Sequence, residues 1–174
     1  MKRCISYMFI LCALFLLSCR RDMQEKVKSM QGEYTRISTE KMLSGLDSFP
    51  EWQNIHKKFM YVSYIDSSLC SSCNIKQLQL WNDLIKKMGN VQFLFVLAPH
   101  KKEDIPYLRH YIRNAKINAP VYIDENYIFL EENPFVPKES LFHTMLLDSL
   151  GKVILVGNPI RNPSIEQMAF DYIR

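Results

Sequence analysis

The sequence has few of the features on which several common functional sites depend. Only five of its 174 residues are glycine, and none belongs to a glycine-rich loop of the kind that cradles a nucleotide phosphate. Serine, aspartate and glutamate show no catalytic-triad spacing, and no repeat or low-complexity tract is present. The formal net charge is only +4, and its basic residues occur in isolated pairs such as Lys86-Lys87, so nothing indicates binding to nucleic acid.

The chain is also poor in residues that could hold a metal ion. Its four histidines are scattered through the sequence, as His56, His100, His110 and His143. No His-X-His motif is present, and Cys-X-X-Cys occurs once. A structural zinc ion needs four ligands, and the cysteine pair with at most one histidine supplies three. A copper or zinc site is therefore a minor alternative, and we expect no cofactor.

No apolar run is long enough to cross a bilayer, which needs about 20 residues. The longest run, Ile5 to Leu17, follows the basic residues Lys2 and Arg3, which is the layout of a secretory signal. Leu-Leu-Ser-Cys, ending at Cys19, resembles the lipobox of bacterial lipoproteins. That resemblance implies that Cys19 is lipidated and holds the protein outside the cytoplasm, on the inner or outer membrane of the cell envelope. An ordinary signal peptide with a cysteine near its cleavage site is the alternative.

Composition then divides the chain into three parts. We assign residues 1–18 to the signal peptide and residues 19–48 to a lipid-anchored tether, since the latter are mostly polar and charged. Phe49-Pro50 marks the start of a single domain, residues 49–174.

Within this domain, hydrophobic patterns predict alternating strands and helices. Strands are predicted at 59–65, 91–98 and 120–124, and a hairpin at 143–156 with its turn at 148–151. Helices are predicted at 74–88, after Asp104 with Pro106 in the first turn, and after Asn162-Pro163. Residues 126–141 are predicted as a loop with one helical turn. This order predicts an α/β fold, a central mixed sheet with helices on both faces.

The cysteine count draws attention to one motif. If the signal is removed and Cys19 carries lipid, Cys70 and Cys73 are the free thiols that remain. They lie between a predicted strand and the start of a predicted helix, where unsatisfied backbone N–H groups lower a thiol pKa. Cys70 is then the expected exposed nucleophile, and Cys73, one turn further, the resolving thiol. Ser71 and Ser72 could donate hydrogen bonds to the thiolate.

Two other interpretations of the pair remain open. As a brace it would close a four-residue loop, which stabilises a fold by only about 2 kcal/mol. The protein would then be a binding or scaffold lipoprotein. As a metal site it would need further ligands, of which His143 is the best candidate.

The order of strand, Cys-X-X-Cys, helix, buried strand, hairpin and terminal helix resembles the thioredoxin-like superfamily. Residues 146–157 (LLDSLGKVILVG) and 120–124 (PVYID) are similar to segments of its membrane-anchored, TlpA-like branch. The resemblance implies a three-layer sandwich and a thiol–disulfide oxidoreductase, acting as reductase or isomerase. Its implied partners are disulfide-bearing exported proteins and a membrane electron donor.

Three positions depart from the family pattern. Leu69 stands where tryptophan is common, and Tyr64 where a buried acid commonly accepts a proton. Phe142 falls on the position of the family's cis-proline. His143 follows it, and the resemblance implies that its imidazole lies near the cysteine pair and could stabilise the Cys70 thiolate.

Overall fold

A computed structural model describes residues 21–46, 57–66 and 78–174. In chain order the elements are α1 (residues 21–30), β1 (Leu43–Ser44), β2 (Phe59–Asp66), α2 (Trp81–Lys87), β3 (Val91–Ala98), α3 (Ile105–Ala115), β4 (Val121–Ile123), α4 (Ile128–Glu132), β5 (Thr144–Leu147), β6 (Val153–Val156) and α5 (Pro163–Ile173). Short 3-10 turns cover Thr39–Lys41, Leu78–Leu80, Lys102–Asp104 and Ser140–Phe142.

The described strands form one mixed sheet in the order β1-β4-β3-β2-β5-β6. Strands β2, β3 and β4 are parallel, and β1, β5 and β6 pair antiparallel to their neighbours. All eight residues of β3 are buried, which explains its unbroken apolar run, because a parallel strand in the centre of a sheet is covered on both faces. The predicted α/β class and mixed sheet are confirmed.

Helices cover both faces of this sheet and form two apolar clusters. The first contains Trp81 of α2, Leu108 of α3 and Ala169 of α5. The second contains Met30 of α1 and Phe129 of α4. Successive side chains of β2 alternate between the clusters, as the two-residue period of a strand requires. The molecule is thus a three-layer sandwich.

The starts of α5 and α3 differ, because a side chain caps α5 and none caps α3. The side chain of Asn162 caps α5, because its Oδ1 accepts from the Ser164 N–H at 3.0 Å. Asp104, which precedes α3, makes no side-chain capping hydrogen bond. The chain enters α3 through a 3-10 turn, so the Asp104 backbone is already helical, with φ −80° and ψ −11°, whereas a capping residue has an extended backbone. Residues 74–77 of the first predicted helix lie outside the described residues.

Helix α4 lies in residues 126–141, the stretch predicted as a loop with one helical turn, and Asp124 explains its position. This buried carboxylate accepts from the N–H groups of Ile128, at 2.9 Å, and Phe129, at 2.8 Å. Both donors belong to the first turn of α4, where no helical carbonyl can reach them. A single acid after β4 thus fixes the start of the helix.

The segment assigned to the tether is part of the fold over residues 30–46. Met30 is fully buried. The Gly32 N–H donates to the Val153 carbonyl at 2.9 Å, and Tyr34 forms an isolated bridge with Lys152 beside β6. Further on, β1 pairs with β4. The segment therefore crosses one face of the sheet and contacts both of its edges.

The side chain of Asn133 binds the backbone of this segment near its middle, at Arg36. Its fully buried amide accepts from the Arg36 N–H at 2.8 Å and donates to the Arg36 carbonyl at 2.9 Å. It also donates to the Phe129 carbonyl at 2.7 Å. Both backbone groups of Arg36 are thus bound by one side chain, much as a neighbouring strand would bind them.

Candidate redox site

Most of the site residues predicted from the sequence lie outside the described residues. These are Cys70 and Cys73, the intervening Ser71 and Ser72, and Cys19. The described chain stops at Asp66, the last residue of β2, and resumes at Leu78, just before α2. The structure therefore describes the two ends of the connection that carries the cysteine pair, together with Phe142 and His143.

A small polar cleft lies at the C-terminal end of β2. Its lining includes Asp66, Ser140, Asn158 and Arg161, with Trp81 forming an apolar wall. Beside them the buried hydroxyls of Ser63 and Thr144 lie 3.1 Å apart and share a hydrogen bond. The cleft encloses about 40 Å³, room for a few water molecules only.

Tyr64 lies in the apolar cluster beneath this end of the strand. Its ring stacks on Phe129 with centroids 5.2 Å apart and meets the His143 ring edge-on at the same distance. Its hydroxyl is buried and has no hydrogen-bond partner among the described residues. Burial raises the pKa of Tyr64 well above its usual value, so the phenol keeps its proton.

His143 is almost completely buried, with 1% of its surface exposed. Its carbonyl accepts from the Tyr64 N–H at 2.8 Å, which extends the pairing of β2 with β5 by one residue. Nε2 lies 2.9 Å from the Pro137 carbonyl. Because a carbonyl can only accept, Nε2 carries the proton and Nδ1 presents a lone pair, for which the described residues provide no partner. Burial lowers the pKa of His143, so the ring is neutral at neutral pH.

Phe142 packs into the same cluster as Tyr64 and is 2% exposed. It ends the 3-10 turn Ser140–Phe142, which leads through His143 into β5. No peptide bond in the described parts of the chain is cis. The turn before β5 is thus anchored by an aromatic side chain.

The described residues form neither a metal-binding cluster nor a membrane-spanning helix. Within residues 21–46, 57–66 and 78–174, no three His, Cys, Asp or Glu side chains come together as a metal site would require. None of the described helices combines the length and apolarity needed to span a bilayer.

Similarity to solved structures identifies the fold of the chain. No family model matches the sequence, and no curated protein matches it significantly. Solved structures do match. The thioredoxin domain of a thiol-disulfide oxidoreductase from Bacteroides vulgatus has a TM-score of 0.53 at 17% identity, covering 83% of this chain and 98% of that chain. The chain has a thioredoxin-like fold.

Two further structures with this fold extend the comparison. The exposed lipoprotein thioredoxin of Streptococcus pneumoniae has a TM-score of 0.53 at 18% identity, covering 75% of this chain and 96% of that chain. A domain of a possible thiol-disulfide isomerase from Cytophaga hutchinsonii has a TM-score of 0.54 at 14% identity, covering 82% and 93%.

Against the thioredoxin-like pattern, the structure shows how two exceptional positions are filled. Tyr64, where an acid is common, is a protonated phenol and does not accept a proton as a carboxylate would. Phe142, at the cis-proline position, is a buried packing residue. His143 was expected near the cysteine pair, which lies outside the described residues; its ring contacts Tyr64, and because it is neutral it brings no positive charge to a thiolate.

Most of the cleft residues were not predicted from the sequence. Trp81 both packs in the first apolar cluster and lines the cleft. Asp66 directly follows a strand pattern, which was a usable signal. Asn158 and Arg161 come from the connection between β6 and α5, and only the sheet order brings them to β2.

The lowered pKa of His143 should make the free energy of unfolding depend on pH. Its pKa is lowered in the folded protein, whereas in the unfolded chain it is about 6.5. The unfolded chain therefore binds the proton more readily, and the free energy of unfolding should fall as pH drops below about 6.5, by at most about 1.4 kcal/mol per pH unit. Urea unfolding at pH 7, 6 and 5 measures this slope.

His143→Gln should flatten this dependence of the free energy of unfolding on pH, and His110→Gln, at an exposed position on α3, is the control for replacing a histidine by glutamine. Glu132 and Glu139, whose pKa values are lowered by hydrogen bonds from Lys41 and Lys26, lose their charge only at more acidic pH. An unaltered slope in His143→Gln would show that the buried ring is not the titrating group.

Proposed function

We propose that the protein is a lipid-anchored, extracytoplasmic thiol–disulfide oxidoreductase with Cys70 and Cys73 as its redox pair. One observation carries the proposal. In a thioredoxin-like fold, the sequence Cys-Ser-Ser-Cys occupies the connection that leaves the C-terminal end of the central strand β2. Ligands of α/β sheets bind at that end of the strands. Cys70 is four positions after Asp66, and at no more than about 3.6 Å per residue their Cα atoms lie within about 14 Å of each other.

The proposed reaction is thiol–disulfide exchange. The Cys70 thiolate attacks one sulfur of a target disulfide, forming a mixed disulfide and releasing a target thiolate, which takes up a proton. Cys73, after losing its proton, attacks Cys70 and releases the second target thiol. The target gains two electrons and two protons, and the pair becomes a disulfide. A membrane dithiol donor then reduces the pair by the reverse exchange.

The described surroundings limit what can stabilise the thiolate. Tyr64 and His143 are both neutral, so neither supplies a positive charge or a carboxylate. Backbone N–H groups at the predicted helix start and the hydroxyls of Ser71 and Ser72 are then the candidates for stabilising the thiolate, together with Arg161, a cationic side chain that lines the cleft.

Two observations support a place in the cell envelope. The sequence Leu-Leu-Ser-Cys resembles a lipobox, and one structure with the same fold is an exposed lipoprotein thioredoxin. A disulfide can form and persist outside the cytoplasm. The substrates would be exported proteins that carry disulfides.

Phe142 and Tyr64 favour a second candidate function. Both fill positions where the thioredoxin-like pattern has groups used in catalysis, and both are buried packing residues. Under this alternative, the protein is a binding or scaffold lipoprotein and the cysteine pair is a structural brace.

The redox equilibrium of the pair separates the two functions. Residues 21–174 would be equilibrated in glutathione buffers, alkylated and weighed, with Cys70→Ser as the control. An oxidoreductase predicts a potential of roughly −270 to −120 mV and alkylation of the reduced pair at Cys70 alone. A potential below about −300 mV, or a reduced pair that alkylating agents cannot reach, would identify a brace.

A further inference from the structure

The direction in which α1 lies against the sheet determines where a lipid anchor on Cys19 would be. Strand β2 runs from Phe59 to Asp66, so its C-terminal end is the end with the cleft. Strand β5 runs the opposite way, with Thr144 beside Ser63 at the cleft end and Leu147 beside Met60 at the far end. These two ends of the sheet provide fixed reference points for α1.

The C-terminal end of α1 lies at the far end of the sheet. Val153 pairs with Leu147 and therefore belongs to that end. The Gly32 N–H donates to the Val153 carbonyl at 2.9 Å, two residues after the last helical residue, Met30, which is fully buried. The helix is thus anchored where β6 begins.

The N-terminal half of α1 lies toward the cleft. Lys26 Nζ lies 2.7 Å from a Glu139 carboxylate oxygen and 3.0 Å from an Asp22 carboxylate oxygen. Glu139 immediately precedes Ser140, which lines the cleft. At 1.5 Å per residue, α1 spans about 14 Å from residue 21 to residue 30, the length of about four strand residues. The helix therefore runs from the cleft end to the far end beside β5 and β6.

This arrangement leaves almost no spacer. Cys19 is two residues before Arg21, so its Cα lies within about 7 Å of the Arg21 Cα. A flexible tether over residues 19–48 would have allowed a separation of about 30 Å. With α1 docked on the sheet, that reach is replaced by the two-residue step from Cys19 to Arg21.

We infer that α1 is a strut that holds the cleft end of the sheet toward the bilayer when Cys19 carries lipid. The redox pair then exchanges electrons with dithiols presented at the membrane surface. This inference rests on the proposed function. In the exchange, the pair's disulfide breaks, a disulfide forms in the membrane dithiol, and two electrons and two protons pass to Cys70 and Cys73.

The C-terminus supplies a matched control, because it lies at the opposite end of the sheet. The Asn90 side chain donates to the Ile173 carbonyl at 3.1 Å, and Asn90 directly precedes Val91, which pairs with Phe59. A lipid attached after Arg174 would therefore turn the cleft away from the bilayer.

The test uses residues 19–174, which contain every described residue, with the pair oxidised. The chain is joined in detergent through Cys19 to a maleimide-headgroup lipid, purified, and inserted into phosphatidylcholine vesicles that carry a dihydrolipoyl-headgroup lipid. The control chain has Cys19→Ser and a cysteine appended after Arg174. Alkylation and mass measurement follow reduction of the pair over time.

The lipid dithiol should reduce the Cys19-anchored chain at least about tenfold faster than the C-terminally anchored chain, because anchoring raises the local concentration only where geometry permits contact. Soluble dithiothreitol should reduce both equally. If the lipid dithiol reduced both chains at equal rates, the inference that α1 holds the cleft toward the bilayer would be wrong. If dithiothreitol reduced neither chain, the pair would be a brace, and the proposed function itself would fail.

Discussion

Replacing Cys70 by serine is expected to lower the rate of disulfide reduction roughly a thousandfold or more, because a hydroxyl is not ionised at neutral pH and cannot attack sulfur. Turnover of insulin disulfides, with dithiothreitol as the electron source, measures this loss. Ser71→Ala is the matched control, since it removes a hydroxyl next to the nucleophile and leaves both thiols in place. We expect that control to keep turnover within about tenfold of the unaltered chain.

Cys73→Ser should fail differently. Its Cys70 thiolate can still attack the target, but no second thiol can release the product, so the mixed disulfide accumulates. Mass measurement after acid quenching should show the chain bound to its target, and Cys70→Ser should show no such adduct. Unchanged turnover in Cys70→Ser, or identical adducts in both variants, would contradict the assigned roles and favour the brace.

Removal of residues 21–46 is expected to unfold the domain. The deletion takes away β1, the buried side chains of Met30 and Met42, and the backbone groups that Asn133 binds. Burying one methionine side chain contributes about 1.5–3 kcal/mol, and a domain is stable by only about 5–15 kcal/mol in total. Circular dichroism during urea unfolding compares a chain starting at residue 47 with one starting at residue 21.

Asn133→Ala tests the same segment with a single change. It leaves the Arg36 N–H, the Arg36 carbonyl and the Phe129 carbonyl without this partner, so the free energy of unfolding should fall by about 3 kcal/mol or more. Asn114→Ala, at an exposed position on α3, should change it by less than about 0.5 kcal/mol. If the chain starting at residue 47 were as stable as the longer one, the segment would be a tether after all.

The parts of the fold that were predictable from the sequence are those encoded locally. Strand β3 was predicted at its observed bounds, because burial on both faces leaves an unbroken apolar run. The hairpin turn was also predictable. There Asp148 Oδ1 accepts from the N–H groups of Leu150 and Lys152, and Gly151 adopts φ 81°, a conformation that favours glycine.

The N-terminal segment could not be predicted in this way. Its polar composition is that of a tether, and its attachment depends on backbone groups bound by Asn133, a residue 97 positions away from Arg36. Backbone hydrogen bonds leave little trace in a hydrophobic pattern. A single buried methionine, Met30, is too sparse a signal to indicate a helix that packs on the sheet.

The candidate site also has features that were predictable from the sequence and features that depend on the three-dimensional structure. The resemblance to thioredoxin-like proteins identified Tyr64 and Phe142 as departures from the family pattern and His143 as a residue expected near the cysteine pair. It did not indicate that His143 is neutral, because that depends on burial and on the Pro137 carbonyl. The roles of Cys70 and Cys73 remain predictions.

The placement of the N-terminal segment also affects when the domain can finish folding. Synthesis produces the N-terminus first, yet the Gly32 N–H donates to the carbonyl of Val153, which lies 121 positions further along the chain. Pairings between such distant parts of a chain form slowly, because a long loop must close before the contact stabilises it. The segment over residues 30–46 therefore cannot form its hydrogen bonds to β6 until β6 has been synthesised. If the protein is exported as proposed, this delay keeps the chain unfolded while it passes through a membrane channel.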